Sequence, residues 1–225
     1  MPKNTLPDWE RVLSSAAHLQ RLLPGAVLVG GTASALYARH RFSRDADHVL
    51  TDLRHQFDRV LADLESVAGW KTARVQRPVQ ILGSLDGIET GVRQLIREQP
   101  LETKVLTQNG ETLTVPTESE MLRIKAVLIL KRNATRDYLD FVALADYLGE
   151  EGTVNALEKF DDLYPQESGE SALQQLEIQL SNALPYDLDE MAPELSEYKN
   201  LDPAYHDWRH IKARCKEIAL DLFDR

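Results

Sequence analysis

Gly30-Gly31-Thr32-Ala33 and, after seven further residues, Arg41-Phe42-Ser43-Arg44-Asp45-Ala46-Asp47 form the stretch that decides the fold. The apolar run 25–29 before it predicts a buried strand that ends in the Gly-Gly turn. A backbone without Cβ atoms can approach phosphate oxygens closely and direct its amides at them. Gly30, Gly31 and Thr32 are therefore candidates for holding a polyphosphate, with a helix predicted from Thr32 to about Arg39.

The second half of the stretch supplies two carboxylates. We expect a strand from Ser43 to Leu50, and side chains two residues apart on a strand point to the same face. Asp45 and Asp47 would then lie side by side, where they could bind Mg²⁺ or Mn²⁺. The glycine turn and the two carboxylates together indicate metal-assisted chemistry on a nucleotide.

Composition narrows the class of protein. The chain has 225 residues, 43% of them hydrophobic, and Cys215 is the only cysteine, so an intrachain disulfide and a cysteine-rich metal site are excluded. No apolar run reaches the roughly 18 residues of a membrane span, and the first residues do not form a secretory signal. We expect a cytoplasmic protein without membrane contact.

Charge is distributed unevenly. The net charge is −10, but residues 1–149 hold 19 Lys and Arg against 18 Asp and Glu, whereas residues 150–225 hold 7 against 18. The nearly neutral first part can still form a basic face around a phosphate site. The acidic last third predicts a solvated helical surface, or a surface for a basic partner.

Periodicity divides the chain into two parts. Amphipathic helices are predicted over 8–23 and 53–68, and short β-like segments with Asp86-Gly87 and Asn109-Gly110 turns fill 70–115, which predicts antiparallel pairing. A capping box at 117–120 starts a helix to about Lys131, and a second helix ends at Gly149. The prediction is an α+β fold, a mixed sheet flanked by helices and then a mostly helical region, with domains 1–116 and 117–225.

Lys125 and Arg132 lie two turns apart on one face of the capped helix, where a pair of cations could receive phosphates. With Arg136-Asp137-Tyr138-Leu139-Asp140 and the opening stretch, they complete an ordered set of motifs over roughly residues 25–149. In these motifs the chain resembles the AbiEii-type nucleotidyltransferase toxins of the DNA polymerase β-like superfamily.

The resemblance implies a role for each matched residue. Gly30, Gly31 and Thr32 would cradle an NTP triphosphate, Ser43 would bind phosphate, and Asp45 and Asp47 would bind the metals. With Asp45 and Asp47, the resemblance implies Lys125 as a catalytic residue, which would contact the nucleotide phosphates. The implied nucleotide-binding residues on the helices are Arg132, which would support the lysine, and Asp137 or Asp140, which would orient the lysine or the base.

Two positions depart from the superfamily pattern. A third metal-binding carboxylate is usual in the superfamily. The candidates here are Asp86, which lies in the predicted Asp86-Gly87 turn, and Glu89, which we prefer. His48 stands where an apolar or aromatic residue is common, and strand alternation places it on the face opposite Asp47. His18, His40 and His55 have no companions at ligand spacing, and His206-Asp207-Trp208-Arg209-His210 has only an imperfect likeness to a zinc-protease motif.

The sequence thus predicts a Mg²⁺-dependent nucleotidyltransferase that moves NMP from an NTP to a hydroxyl. By resemblance, the acceptor is a tRNA 3′ end, in a toxin–antitoxin system with an antitoxin partner. Two alternatives stay open: transfer of AMP or UMP to a protein, and a non-catalytic nucleotide-binding or antitoxin-like module. The last gains weight if Glu89 lies far from Asp45 and Asp47.

Overall fold

The computed structural model describes residues 9–224, and these fold into two compact units. The first contains residues 9–33 and 43–116, and the second contains residues 34–42 and 117–224. The short segment 34–42 thus belongs with the helices of the later sequence. The predicted start of the first helix at residue 8 lies outside the described residues.

A five-stranded sheet, a two-stranded hairpin and two helices make up most of the first unit. A third helix, α2, begins in this unit, and its later residues belong to the second. In chain order the elements are α1 (Trp9–Leu22), β1 (Val27–Leu28), α2 (Gly30–Ala38), β2 (Asp45–Leu50), α3 (Leu53–Glu65), β3 (Trp70–Gln76), β4 (Gln80–Leu85), β5 (Ile88–Gln94), β6 (Thr103–Gln108) and β7 (Glu111–Pro116).

The five-stranded sheet is mixed. Its strand order is β1-β2-β5-β4-β3, with β2 and β5 parallel and the other pairs antiparallel. The Asp86-Gly87 and Asn109-Gly110 turns join β4 to β5 and β6 to β7, and all four turn residues have positive φ, as two-residue hairpin turns require. The predicted antiparallel pairing and the mixed sheet are confirmed.

One face of the sheet carries the core of this unit. Apolar residues of α1 and α3 pack on it, because both helices repeat buried positions at helical spacing. Members of this cluster are Leu19, Leu53, Phe57, Val60, Leu64, Trp70, Ile81, Leu85 and Val92. Strand alternation therefore directs the intervening residues of β2, β5, β4 and β3 to the other face.

The second unit is helical. Thr117 begins α4 (Glu118–Arg132) by accepting a hydrogen bond from the Glu120 amide at 3.2 Å, and Asn133 ends it with φ of 48°. The predicted helix start and break are therefore confirmed. The later elements are α5 (Thr135–Leu157), α6 (Phe160–Leu163), α7 (Ala172–Ser181), α8 (Leu188–Met191), two 3-10 segments (Ala192–Asn200, Pro203–Tyr205) and α9 (Trp208–Phe223).

Gly149 divides α5 into two helical stretches. Its φ and ψ of 74° and 174° are not helical, yet helix resumes beyond it as far as Leu157. The predicted helix end at Gly149 is therefore confirmed, and a second helical stretch follows it directly. The α+β class with a helical second part is confirmed. Among the described helices, none has the length and hydropathy needed to cross a bilayer.

Candidate active site

Gly30 lies directly beside Asp47. The amide of Val29 donates to the Asp47 carbonyl at 2.8 Å, and this hydrogen bond continues the pairing of β1 with β2 up to the start of α2. Gly30 has φ of 75°, and a Cβ built there would stand 3.6 Å from Asp47 Oδ2. Glycine therefore permits the left-handed backbone and leaves open the space next to this carboxylate.

The next residues of α2 form its first turn, in which the backbone amides have no partner within the helix. Thr32 is buried, and its hydroxyl donates to the Asp45 carbonyl at 2.5 Å. That bond ties the start of α2 to β2. Gly31 and Thr32 thus offer backbone amides rather than a side-chain O–H at the start of α2.

Asp45 and Asp47 share one face of β2, as the sequence predicted. Ser43 Oγ donates to Asp45 Oδ1, and Arg93 Nη2 stands 3.8 Å from Asp47 Oδ1. Both aspartates are half-buried, while Ala46 and His48 between and after them are buried on the opposite face. The arrangement gives two adjacent carboxylates that solvent still reaches.

Glu89 lies beside these carboxylates. It is the register partner of Asp45 across the parallel β2–β5 pair, and directly paired residues project from the same face of a sheet at strand spacings of about 4.8 Å. Asp86, the other candidate, occupies the β4–β5 turn with φ of 55° and accepts from His18 at 2.8 Å. Of the two, only Glu89 is on the strand next to Asp45.

These residues suit a magnesium ion that is shared with a substrate. Mg²⁺ is commonly held by one or two carboxylates together with substrate phosphates and water, not by a cage of protein ligands alone. Among residues 9–224, no group of three or more His, Cys, Asp or Glu side chains is arranged to hold an ion. Asp45 and Asp47 match the first kind of site, whereas Glu89, although it is the register partner of Asp45, does not complete a group of three with them.

His48 does not belong to this face. Its side chain is fully buried on the face of β2 opposite Asp47, and burial lowers the pKa of its imidazole to about 4. The predicted orientation away from Asp47 is confirmed. His48 therefore acts as a neutral core residue at physiological pH.

Asp140 is the centre of a buried ionic cluster in the second unit. It accepts from Arg41 Nε and Nη2 at 2.7 and 2.9 Å, from His40 Nε2 at 2.7 Å, and contacts Lys125 Nζ at 2.7 Å. Burial alone would raise the pKa of Asp140, but the Arg41 and Lys125 charges outweigh it and hold this pKa well below its usual range. Burial also lowers the pKa of His40, so its ring is neutral at pH 7.

Asp137 extends the cluster toward the end of α4. It forms a bidentate pair with Arg132, at 3.1 Å to Nε and 2.7 Å to Nη2, and lies 3.7 Å from Lys125 Nζ. The side chain of Lys125 is 3% exposed, whereas that of Arg132 is 39% exposed. The structure thus brings together four residues that the sequence assigned to nucleotide binding, and Arg132 is the one that reaches solvent.

Sequence reasoning missed two members of this cluster. His40 has no companion at ligand spacing because its partner, Asp140, lies 100 residues away along the chain. Arg41 belongs to the opening motif, but the motif alone indicates no role for it. In the structure, its two hydrogen bonds to Asp140 make it a member of the buried ionic cluster. Only the fold could reveal either contact.

The His206–His210 segment has a local structural role. Asp207 caps α9 by accepting from the Arg209 amide at 2.9 Å, and a ring nitrogen of His206 bonds the Leu201 carbonyl at 2.8 Å. The spacing that resembled a zinc motif is therefore that of a helix start.

Solved structures with the same architecture define the class of fold. The crystal structure of JHP933 from Helicobacter pylori matches with a TM-score of 0.55 at 16% identity, covering 99% of this chain and 94% of that one. An antigenic nucleotidyltransferase-like protein from Paracoccidioides brasiliensis matches with a TM-score of 0.50 at 16% identity, over 86% of this chain and 93% of that one. The chain therefore has a nucleotidyltransferase-type fold.

The family follows from the sequence as a whole. The family model described as "Nucleotidyl transferase AbiEii toxin, Type IV TA system" matches residues 11–224, so the chain belongs to this family. Membership in it supports nucleotidyltransferase activity.

Curated relatives resemble the chain over only part of their length. The chain is 28% identical over 236 residues to the heme uptake protein MmpL11 of Mycobacterium tuberculosis, covering 96% of this chain and 23% of that protein. The chain thus spans less than a quarter of the length of the curated relatives that it matches.

Proposed function

We propose that this chain transfers a nucleoside monophosphate from an NTP to a hydroxyl acceptor, with release of pyrophosphate. The observation that carries the proposal is the placement of Asp45, Asp47 and Glu89 on one face of two adjacent parallel strands, beside Gly30. The family and the fold both support this chemistry.

Within the first unit, each proposed role rests on a contact. Asp45 and Asp47 would hold Mg²⁺ or Mn²⁺, Glu89 on the neighbouring strand is the candidate for a third carboxylate, and Ser43 fixes the orientation of Asp45 through its hydrogen bond. The chemistry that Mg²⁺ or Mn²⁺ would supply at these carboxylates is activation of the attacking hydroxyl and neutralisation of charge on the departing pyrophosphate. The amides at the start of α2, from Gly30 to Thr32, receive the triphosphate.

Within the second unit, we propose that Lys125, Arg132, Asp137 and Asp140 serve nucleotide binding. Arg132, whose side chain is 39% exposed, would contact phosphate directly. Lys125 is 3% exposed and its ammonium lies 2.7 Å from Asp140 and 3.7 Å from Asp137, so it would act through the cluster that positions Arg132. Asp137 holds the Arg132 guanidinium through two parallel hydrogen bonds, an arrangement that preorganises a cation for phosphate.

For the acceptor, we propose the 3′ end of an RNA, specifically tRNA, in the cytoplasm, with an antitoxin as the regulating partner. The family description supports a toxin–antitoxin setting. A 3′ hydroxyl is an acceptor that two metal-binding carboxylates are suited to activate.

The test uses purified protein, NTPs labelled at the α-phosphate, Mg²⁺ and total RNA. We expect label in RNA from the wild type and a loss of at least 100-fold in Asp45→Asn and Asp47→Asn, since each removes a metal-binding charge. Thr112→Ala, an exposed change in β7 of the same unit, is the matched control and should label RNA normally.

Other outcomes would contradict parts of the proposal. Label in protein but not in RNA would contradict the RNA acceptor and indicate AMP or UMP transfer to a protein. NTP binding without any release of pyrophosphate would contradict catalysis and indicate a nucleotide-binding module.

A further inference from the structure

The face of the sheet that carries Asp45 and Asp47 continues across all four longer strands. Directly paired residues share a face, so the pairings of β2 with β5, β5 with β4, and β4 with β3 define cross-strand rows. From β2 to β3, one row contains Asp45, Glu89, Ser84 and Lys71, and the next contains Asp47, Gly91, Leu82 and Arg74. Both rows begin with a carboxylate and end with a cation.

The basic ends of the two rows lie on an exposed edge. Strand β3 is the last of the sheet, and both Lys71 and Arg74 are exposed. Within residues 9–224, neither forms an ion pair with a carboxylate, whereas the nearby Arg77 pairs with Asp58. The charge of Lys71 and Arg74 is therefore available for an external anion.

Strand β4 contributes Ser84 and Leu82 to the middle of the two rows. A Cβ at Gly91 would come within 2.5 Å of Leu82 Cδ2, so glycine is what allows the Leu82 side chain to lie across β5. Ser84 and Leu82 are both half-buried. The path between the carboxylates and the cations therefore crosses β4 without meeting a charged side chain.

The length of this path fits a short stretch of polynucleotide. From β2 to β3 the rows cross three strand spacings, about 14 Å at roughly 4.8 Å each. That length corresponds to about four nucleotides at approximately 3.4 Å per nucleotide of stacked strand.

We propose that Lys71 and Arg74 bind backbone phosphates of a single-stranded RNA acceptor whose 3′ end lies at Asp45, Asp47 and Glu89. This inference rests on the proposed function, because it assigns a surface to the acceptor of that reaction. The polarity of charge agrees with an RNA end: the terminal 3′ hydroxyl is uncharged and tolerates the carboxylates, while the phosphates upstream of it meet the cations.

Charge disfavours the other occupants of this edge. A second copy of the chain paired along β3 would bring Lys71 and Arg74 close to their own equivalents, and like charges directly opposite are destabilising. An acidic peptide would carry its carboxylates into the Asp45 and Glu89 end of the rows. RNA with a free 3′ hydroxyl avoids both repulsions.

The experiment measures binding of a fluorescent single-stranded RNA with a free 3′ hydroxyl to the full chain without NTP. Loss of two phosphate contacts should lower the salt slope of log K by about 1.4, at about 0.7 per contact on a single strand. If the variant Lys71→Ala/Arg74→Ala and the wild type bind RNA equally at 1 M salt, this difference in slope makes the variant bind roughly tenfold more weakly than the wild type at 0.2 M salt.

Arg54→Ala/Arg59→Ala is the matched control. It removes the same charge from exposed positions of α3, which packs on the other face of the sheet. This variant should keep the wild-type RNA affinity and salt slope. A 3′-phosphorylated RNA should bind the wild type more weakly than the 3′-hydroxyl form, because its terminal charge meets the carboxylates.

Equal affinity of the two double variants, or equal affinity for the two RNA ends, would overturn this inference. Its failure differs from failure of the proposed function. If the wild type labels RNA yet Lys71→Ala/Arg74→Ala binds RNA as the control does, only the binding surface is wrong. If the wild type transfers no nucleotide to any acceptor, the function itself is wrong.

Discussion

Asp140→Ala should destabilise the second unit by about 4 kcal/mol. Removal of one partner of a buried ion pair costs roughly 3–5 kcal/mol, because the remaining charge is left without compensation in a medium of low polarity. Here the substitution leaves Arg41 and Lys125, each with a side chain 3% exposed, without the carboxylate that joins them. Because two buried cations lose this carboxylate, we expect a loss in the middle of that range or above it.

Urea unfolding followed by far-UV circular dichroism measures the effect. With an m-value of about 2 kcal/mol/M, a loss of about 4 kcal/mol lowers the midpoint of the transition by about 2 M. Asp146→Ala is the control, since Asp146 pairs with Arg214 at 2.9 Å with both side chains 31% exposed. Loss of such a pair should shift the midpoint by about 0.5 M or less.

The pH dependence of this difference has a defined sign. The pKa of Asp140 is lowered by folding, so its contribution is fully present above the unfolded pKa of about 3.9 and is lost as pH falls through the folded pKa. The stability difference between wild type and Asp140→Ala should stay constant from pH 5 to 8. A midpoint shift no larger than that of Asp146→Ala, or a difference that disappears at pH 6, would refute the assignment of Asp140 as the centre of the cluster.

Three further predictions concern single positions. Gly30→Ala should cost about 1–2 kcal/mol in thermal unfolding, because φ is 75° there, and should reduce nucleotide transfer by placing a Cβ beside Asp47; an unchanged melting temperature would contradict this. In the wild type, stability should fall by up to roughly 3 kcal/mol between pH 6.5 and pH 4, because unfolding exposes His48, whose pKa is about 4 in the fold, and the exposed ring then binds a proton. His48→Leu should remove this part of the pH dependence, and equal pH profiles for variant and wild type would contradict the prediction. Thr117→Ala should lower stability by about 1 kcal/mol through loss of the bond to the Glu120 amide, whereas Thr117→Ser, which keeps the hydroxyl, should unfold within a few tenths of a kcal/mol of wild type.

Local patterns predicted the fold well where local forces decide it. The Thr117 cap, the Asp86-Gly87 and Asn109-Gly110 turns and the alternation of β2 each depend on residues a few positions apart, and the structure has all of them. The helix end at Gly149 was also predicted, but the helical stretch that follows it directly was not, because a glycine with positive φ can stand between two helical stretches as well as at a final helix end.

Contacts between distant parts of the chain lay beyond the sequence. Glu89 could be named as a candidate, but its register beside Asp45 depends on the parallel pairing of β2 and β5, which no turn specifies. The partners of Asp140 come from residues 40, 41 and 125, and nothing local connects them. Motif order predicted which residues matter, and the fold determined which of them touch.

The most direct test of the account is the rate of label transfer from α-labelled NTP to RNA by wild type and Asp47→Asn, each measured with Mg²⁺ and with excess chelator. We expect rapid transfer only for the wild type with Mg²⁺, and a rate at least 100-fold lower in the other three reactions. Transfer by Asp47→Asn at the wild-type rate, with its fold intact, would contradict the assignment of the β2 carboxylates as the catalytic metal site.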